Sequence, residues 1–134
     1  MRKYVTDTHS LLWHIFQSKR LSKRSSAIFE KADQGQVTIF IPAIVLVEIV
    51  YLMDKFRISQ HAIDRVINLL DESVVNYRLS PITTKTIRAL QTVPRDLVPD
   101  MPDRIIAATA VELDLPLITS DTKIRQSKIV DSVW

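Results

Sequence analysis

An α/β fold, with helices packed around a largely parallel β-sheet, is predicted by two observations. Short apolar runs of strand type alternate with stretches of helical periodicity along the chain, which is the pattern of βαβ units and not of hairpins. The 134 residues are 46% hydrophobic, enough for a single core, so one domain spanning 1–134 is expected. No repeat and no low-complexity segment interrupts it, and the whole chain should therefore fold.

The elements follow in order. Lys3 to Thr6 reads as a first strand ending at Asp7-Thr8, and His9 to Phe16 as a helix with Leu11, Leu12, Ile15 and Phe16 on or near one face. Ser22 suits the N-cap of a second helix through Ala27, Ile28 and Ala32, which Gly35 closes. Gln36 to Ile41 is the next strand, and Pro42 opens a strongly apolar helix, AIVLVEIVYLM, running to about Lys55. Ser59 caps a fourth helix in which Ala62, Ile63, Val66, Ile67 and Leu70 repeat at helical spacing, with Asp71-Glu72-Ser73 ending it. Val74 to Leu79 is a third strand, Thr83 to Gln91 a fifth helix, and TVPRDLVPDM a proline-interrupted loop. Asp103 follows Pro102 where a further helix should start, since proline and acidic residues both suit the first turn. Ile105, Ile106, Thr109, Ala110 and Leu113 form its apolar stripe, Ala107 and Ala108 leave room for close packing, and Asp114-Leu115-Pro116 ends it. Leu117 to Thr119 is a short strand, Asp121-Thr122 starts a last short helix, and Lys128 to Val133 adds an edge strand.

Composition excludes several functions. The single glycine, Gly35, rules out a Gly-rich phosphate-cradling loop, and the absence of cysteine rules out disulfides and thiolate metal sites. His9, His14 and His61 lack zinc-site spacing. The start, MRKYVTDTHS, lacks the apolar core of a signal peptide, and no apolar run approaches a membrane span, so a cytoplasmic protein is expected. The formal charge of +3 is a weak basic bias. Lys19, Arg20, Lys23, Arg24, Lys55, Arg57, Arg104, Lys123, Arg125 and Lys128 either line a path for a polyanion or form an ordinary solvated surface.

The acids are more telling. In a parallel sheet the strand before Asp7 and the strand before Asp121 end at one edge, where sites form, although each acid also suits a helix N-cap. Glu48 is the one charged side chain between Ile44 and Met53. A helix apolar all round is expected to be buried, and burying a lone carboxylate costs several kcal/mol without a partner. A salt bridge to Arg88 or Arg104 would supply one. A cation shared with Asp7, Asp103 and Asp121 would satisfy four acids at once. An all-oxygen set selects Mg²⁺ or Mn²⁺, whose chemistry is hydrolytic and suits phosphodiesters. Thr8, Thr119 and Ser120 lie beside the acids, to orient them or to bond the local backbone.

VTDTHSLLW, IPAIVLVEIVYL and PDRIIAATAVELDLPLITSD, in that order and spacing, resemble the successive acidic motifs of the PIN-domain family, specifically its VapC-type toxin ribonucleases. The resemblance implies a PIN-like three-layer sandwich with a central sheet flanked by helices. It implies that Asp7, Glu48, Asp103 and Asp121 are the metal-binding catalytic set, and that Thr119 fills the family's small hydroxyl position. Around them Thr8, Arg104, Thr119, Ser120 and Lys123 are the candidate substrate-binding residues. One local departure is that many relatives carry an aromatic between the proline and the third acid, whereas Asp103 directly follows Pro102. The resemblance further implies Mg²⁺- or Mn²⁺-dependent cleavage of single-stranded or looped RNA, a homodimer, and restraint by a cognate antitoxin. For such partners the sequence offers Leu11, Leu12, Trp13, Ile15 and Phe16, or Tyr51, Leu52 and Phe56, all of which core packing also suits. A catalytically silent PIN-like module that binds RNA or protein is the alternative. A phosphoacceptor domain of receiver type fits poorly, because Asp7 is followed by Thr8 and His9 where a second acid is needed.

Overall fold

The computed structural model describes residues 1–72 and 76–134. Strands β1 (Arg2–Thr6), β2 (Val37–Pro42), β3 (Tyr77–Ser80), β4 (Leu117–Ile118) and β5 (Ser132–Val133) form one sheet in the order β3-β2-β1-β4-β5, and every pairing is parallel. Flanking it are helices α1 (Thr8–Ile15), α2 (Lys23–Asp33), α3 (Ala43–Asp54), α4 (Ala62–Glu72), α5 (Thr84–Thr92), α6 (Met101–Leu113) and α7 (Thr122–Ser127). Consecutive residues Tyr4, Val5 and Thr6 of β1 are buried, as are Val37, Thr38 and Ile39 of β2. Successive strand residues point to opposite faces, so both faces of the sheet are covered, as in a three-layer sandwich.

Local chemistry accounts for most boundaries. Ser22 Oγ accepts from the Ser25 N–H at the start of α2, and Gly35, at φ +75°, turns the chain out of it. Thr83 caps α5, with the Thr86 hydroxyl returning a bond from the Thr83 N–H. Elsewhere the expectations shift. The helix expected near Asp103 begins at Met101, because Asp100 is its cap, accepting from the Asp103 N–H at 3.1 Å. Ser59 bonds the His61 N–H, and the helix proper starts only at Ala62. The edge strand expected over 128–133 shrinks to Ser132–Val133, since Lys128 sits in the left-handed region that ends α7. Val74 and Val75 of the expected third strand lie outside the described residues, and β3 starts at Tyr77.

Two expectations about apolar residues divide. Leu11 and Leu12 are core, while Trp13 and Ile15 are half-buried and Phe16 is exposed. Helix α3 is not buried all round. Ile44, Val45 and Ile49 face the core, but Val47, Val50 and Tyr51 are exposed, Leu52 is half-buried, and Phe56 beyond the helix is 83% exposed.

The chain leaves β1 for β2 and β3 on one side and returns to β4 and β5 on the other. The strand order therefore reverses between β1 and β4, and open α/β sheets carry their sites beyond the strand ends at that crevice. Thr6 pairs with Ile118 there, so Asp7 and the Thr119–Asp121 segment leave the sheet side by side.

Candidate active site

Asp7 is the first residue past β1 and the N-cap of α1. Its Oδ1 accepts from the Ser10 N–H at 2.9 Å and its Oδ2 from the Thr119 hydroxyl at 2.6 Å. Thr119 is fully buried, and its Oγ1 in turn accepts from the Asp121 N–H at 3.1 Å. One threonine thus ties the acid after β1 to the acid after β4. Asp121 caps α7 through Oδ1 and the Ile124 N–H. Capping and site-building, alternatives in the sequence, are done here by the same side chains.

Glu48 reaches the same place from α3. Its Oε1 accepts from the Thr8 hydroxyl at 2.5 Å, and Thr8 is buried in the first turn of α1. No basic residue among those described pairs with it, because the one ion pair among them joins His14 to Asp33. The salt-bridge reading of Glu48 is thereby set aside. Arg88 is exposed, and the Arg104 guanidinium donates to the Val93 and Leu90 carbonyls at the end of α5. The C-terminal end of a helix carries partial negative charge and attracts a cation. Arg104 therefore ties α6 to α5 and does not line the acidic cavity.

Asp7, Glu48, Asp103 and Asp121 line one open cavity of about 470 Å³, together with Asp100 and Ser120. Lys123 stands beside it, in an adjoining hollow it shares with Asp100, Asp103, Ser120 and Asp121. The cavity wall also holds His9 and Asp100, which sequence reasoning did not place at a site, together with Arg20, offered only among the cations of a polyanion path, and Trp13, offered only as partner surface or core. For His9 and Trp13 a signal existed, since both sit on the turns of α1 that follow Asp7. For Asp100 the helix start was placed too late to show it.

Crowding carboxylates without cations has a titration consequence. Burial pushes the Asp7 carboxyl above its ordinary range, against the bonds from Ser10 and Thr119. Burial also raises Glu48, with the Asp100 charge adding to it and the Thr8 hydroxyl opposing it. Asp103 is pushed up to about 7, first by burial and then by Asp100, Asp121, Glu48 and Asp7. Desolvation and like charge both disfavour the ionised form, and here they act together.

The donors fit a hard divalent cation in kind, since all are oxygens. They also fit in charge, since Asp103 has no side-chain hydrogen bond among the described residues and several anions press on it. As placed, however, no three acidic or histidine side chains among the described residues are gathered tightly enough to hold an ion. The physical reason is visible in the bonds above: oxygens of Asp7, Glu48 and Asp121 are turned onto hydroxyl and amide donors.

Comparison with known proteins adds context to this geometry. The PIN-domain family model matches residues 4–129. Ribonuclease VapC22 of Mycobacterium tuberculosis (strain ATCC 25618 / H37Rv) is 30% identical over 128 residues, covering 96% of this chain and 94% of that protein. Among solved structures, the chain is similar to VapBC2 from Rickettsia felis bound to a DNA fragment from their promoter, with a TM-score of 0.68 at 18% identity over 98% of this chain and 97% of that one. It is also similar to a toxin-antitoxin complex from Klebsiella pneumoniae, with a TM-score of 0.64 at 20% identity over 98% and 96%. At such identities the solved structures speak for the fold.

Proposed function

This chain belongs to the PIN-domain family, and on that premise we propose that it is a divalent-metal-dependent endoribonuclease, the toxin of a toxin–antitoxin pair. The observation that carries the reading is the cavity at the β1–β4 crevice, which Asp7, Glu48, Asp103 and Asp121 all line and where, among the described residues, no basic side chain pairs with Glu48. These four are the residues that would hold Mg²⁺ or Mn²⁺. When bound, such an ion polarises a phosphodiester and activates water against it.

The chain's own groups do the rest of the work. Thr119 and Ser10 fix the Asp7 carboxylate, and Thr8 fixes Glu48, so two of the acids are oriented by bonds to the protein. Asp103, open to the cavity and pressed on by the charges of Asp100, Asp121, Glu48 and Asp7, is a carboxylate that a bound cation would relieve. Arg20 on the cavity wall and Lys123 beside it face where the RNA backbone would run, and act on phosphate and not on base edges. Arg104, turned to α5, serves the scaffold. A cognate antitoxin is supported by the likeness to a toxin-antitoxin complex, and the exposed Val47, Val50, Tyr51 and Phe56 along and beyond α3 offer an apolar surface for it or for a second copy of the chain. No helix among the described residues is long and apolar enough to cross a membrane, which accords with action on cytoplasmic RNA.

The test is cleavage of single-stranded RNA by the purified chain with Mg²⁺, with Mn²⁺ and with a chelator. Internal cuts that need the ion and vanish with chelation are expected. Intact RNA under all three conditions, with binding retained, would instead establish a catalytically silent RNA-binding module.

A further inference from the structure

We propose that Trp13 is a nucleobase-stacking subsite that seats the base beside the scissile phosphate. The inference rests on the endoribonuclease reading and adds to it how a polyanion is held in a cavity walled by acids. Five carboxylates, those of Asp7, Glu48, Asp100, Asp103 and Asp121, line that cavity against one guanidinium, that of Arg20. Without a cation that excess of negative charge repels RNA, and Arg20 alone on this wall offsets little of it. A grip that does not depend on charge would hold RNA close to the acids whether or not the ion is bound, and stacking on an aromatic face supplies one for any base.

Trp13 has the position and the freedom for it. It lies on α1 beyond the Asp7 cap and one turn after His9, which puts both rings on one helix face. Their centroids are 5.8 Å apart. Its neighbours Leu11 and Leu12 are core, but Trp13 is only half-buried. The indole is a wall of two cavities at once, the acidic one and a second of about 520 Å³ between α1, α2 and α4 that Arg65, Gln17 and Ser18 also line. Both volumes lie in the range of ligand-binding hollows. The indole N–H makes no hydrogen bond among the described residues and is not a buried unsatisfied group, so it can donate to a ligand. Trp134, just past β5, meets Trp13 at 5.8 Å with the rings at 63°. That edge contact holds the platform in one orientation before substrate arrives, and a preformed ring loses less freedom on binding.

Fluorescence excited selectively at tryptophan reads this directly, because the chain has two tryptophans and Trp134→Phe, which keeps an aromatic ring at that position, leaves Trp13 as the sole tryptophan. The Trp134→Phe protein is titrated, in chelator so that nothing is cut, with a single-stranded RNA and with an abasic oligonucleotide of equal length and charge. Quenching by the RNA, with the abasic strand binding about tenfold more weakly and quenching little, is the expected result. Equal quenching by both strands, or none by bound RNA, overturns the proposal. Kinetics supply a second arm: Trp13→Leu should raise KM about tenfold with kcat nearly unchanged, and Trp13→Phe should restore most of the loss. A Trp13→Leu protein that melts like the parent and keeps its KM overturns the subsite while leaving the ribonuclease reading intact. A parent that binds bases through Trp13 yet never cuts with either metal overturns the ribonuclease reading and leaves the stacking in place.

Discussion

Two clusters of ionisable side chains sit at different places on this fold, and they treat charge in opposite ways. Where α1, α2 and β3 meet, Asp33 takes a bond from the Tyr77 hydroxyl at 2.6 Å and pairs with His14 Nε2 at 2.9 Å, while the His14 ring stacks on Phe29 at 4.7 Å. Each group there has a complementary partner, and burial and Asp33 together hold the Tyr77 hydroxyl in its protonated form. At the β1–β4 crevice the carboxylates of Glu48, Asp103 and Asp121 have hydroxyl or amide partners at most among the described residues, and Asp7, Glu48 and Asp103 are raised chiefly by burial. Charges that serve the scaffold are balanced within it, whereas charges meant for something outside the chain are left unbalanced at a cost in stability.

The sharpest way to break that comparison is to remove one charge from the unbalanced cluster. Glu48→Gln keeps the shape and leaves an oxygen for the Thr8 hydroxyl, but deletes an anion that burial already disfavours. Without metal, the variant should melt at an equal or higher temperature than the parent. The stabilisation on adding Mg²⁺ or Mn²⁺ should shrink, and RNA cleavage should fall about a hundredfold or more. Melting curves with and without metal, alongside a cleavage assay, decide it; a protein that melts far lower yet keeps its metal response would mean Glu48 serves the scaffold.

The balanced cluster should behave in reverse. Asp33→Ala removes one acceptor of the Tyr77 hydroxyl and the partner of His14, and losing a hydrogen bond from a buried hydroxyl to a part-exposed carboxylate costs about 1 kcal/mol. Denaturant unfolding should show that loss, while cleavage per folded molecule stays near the parent's. A stable Asp33→Ala protein with lost activity would erase the distinction between the two clusters.

The most gradual effect is a slope with pH. Asp103 has its folded value raised to about 7 from an ordinary 3.8, so the folded state binds the proton more tightly than the unfolded chain does. Stability is then highest below about pH 4 as far as this group is concerned, and is lost as pH rises towards 7. Allowing for solvent screening of a partly exposed carboxyl, Asp103→Asn should gain about 1–2 kcal/mol over the parent across that window in chelator. Parallel stability curves for the two proteins would show that the acids do not press on Asp103.

Much of this was legible in the residues because it is local. Alternation of strand and helix periods, Ser22 and Gly35 at the ends of α2, Asp121 before α7 and Glu48 amid the apolar run of α3 all depend on hydrogen bonds or spacings within a few residues, and the fold class follows from their order. What the chain alone did not determine depends on which distant group a side chain meets. Arg104, expected near the acids, turns instead to the α5 carbonyls because the C-terminal end of that helix lies within its reach. Asp100, His9, Trp13 and Arg20 join the cavity only because β4 returns beside β1 and brings the start of α6 against α1 and α3. Asp7 and Asp121, distant in sequence, become neighbours through one buried hydroxyl, Thr119. Periodicity and capping are written into short stretches of sequence, but the partner of a long or buried polar side chain is set by strand order, and that exists only once the sheet has formed.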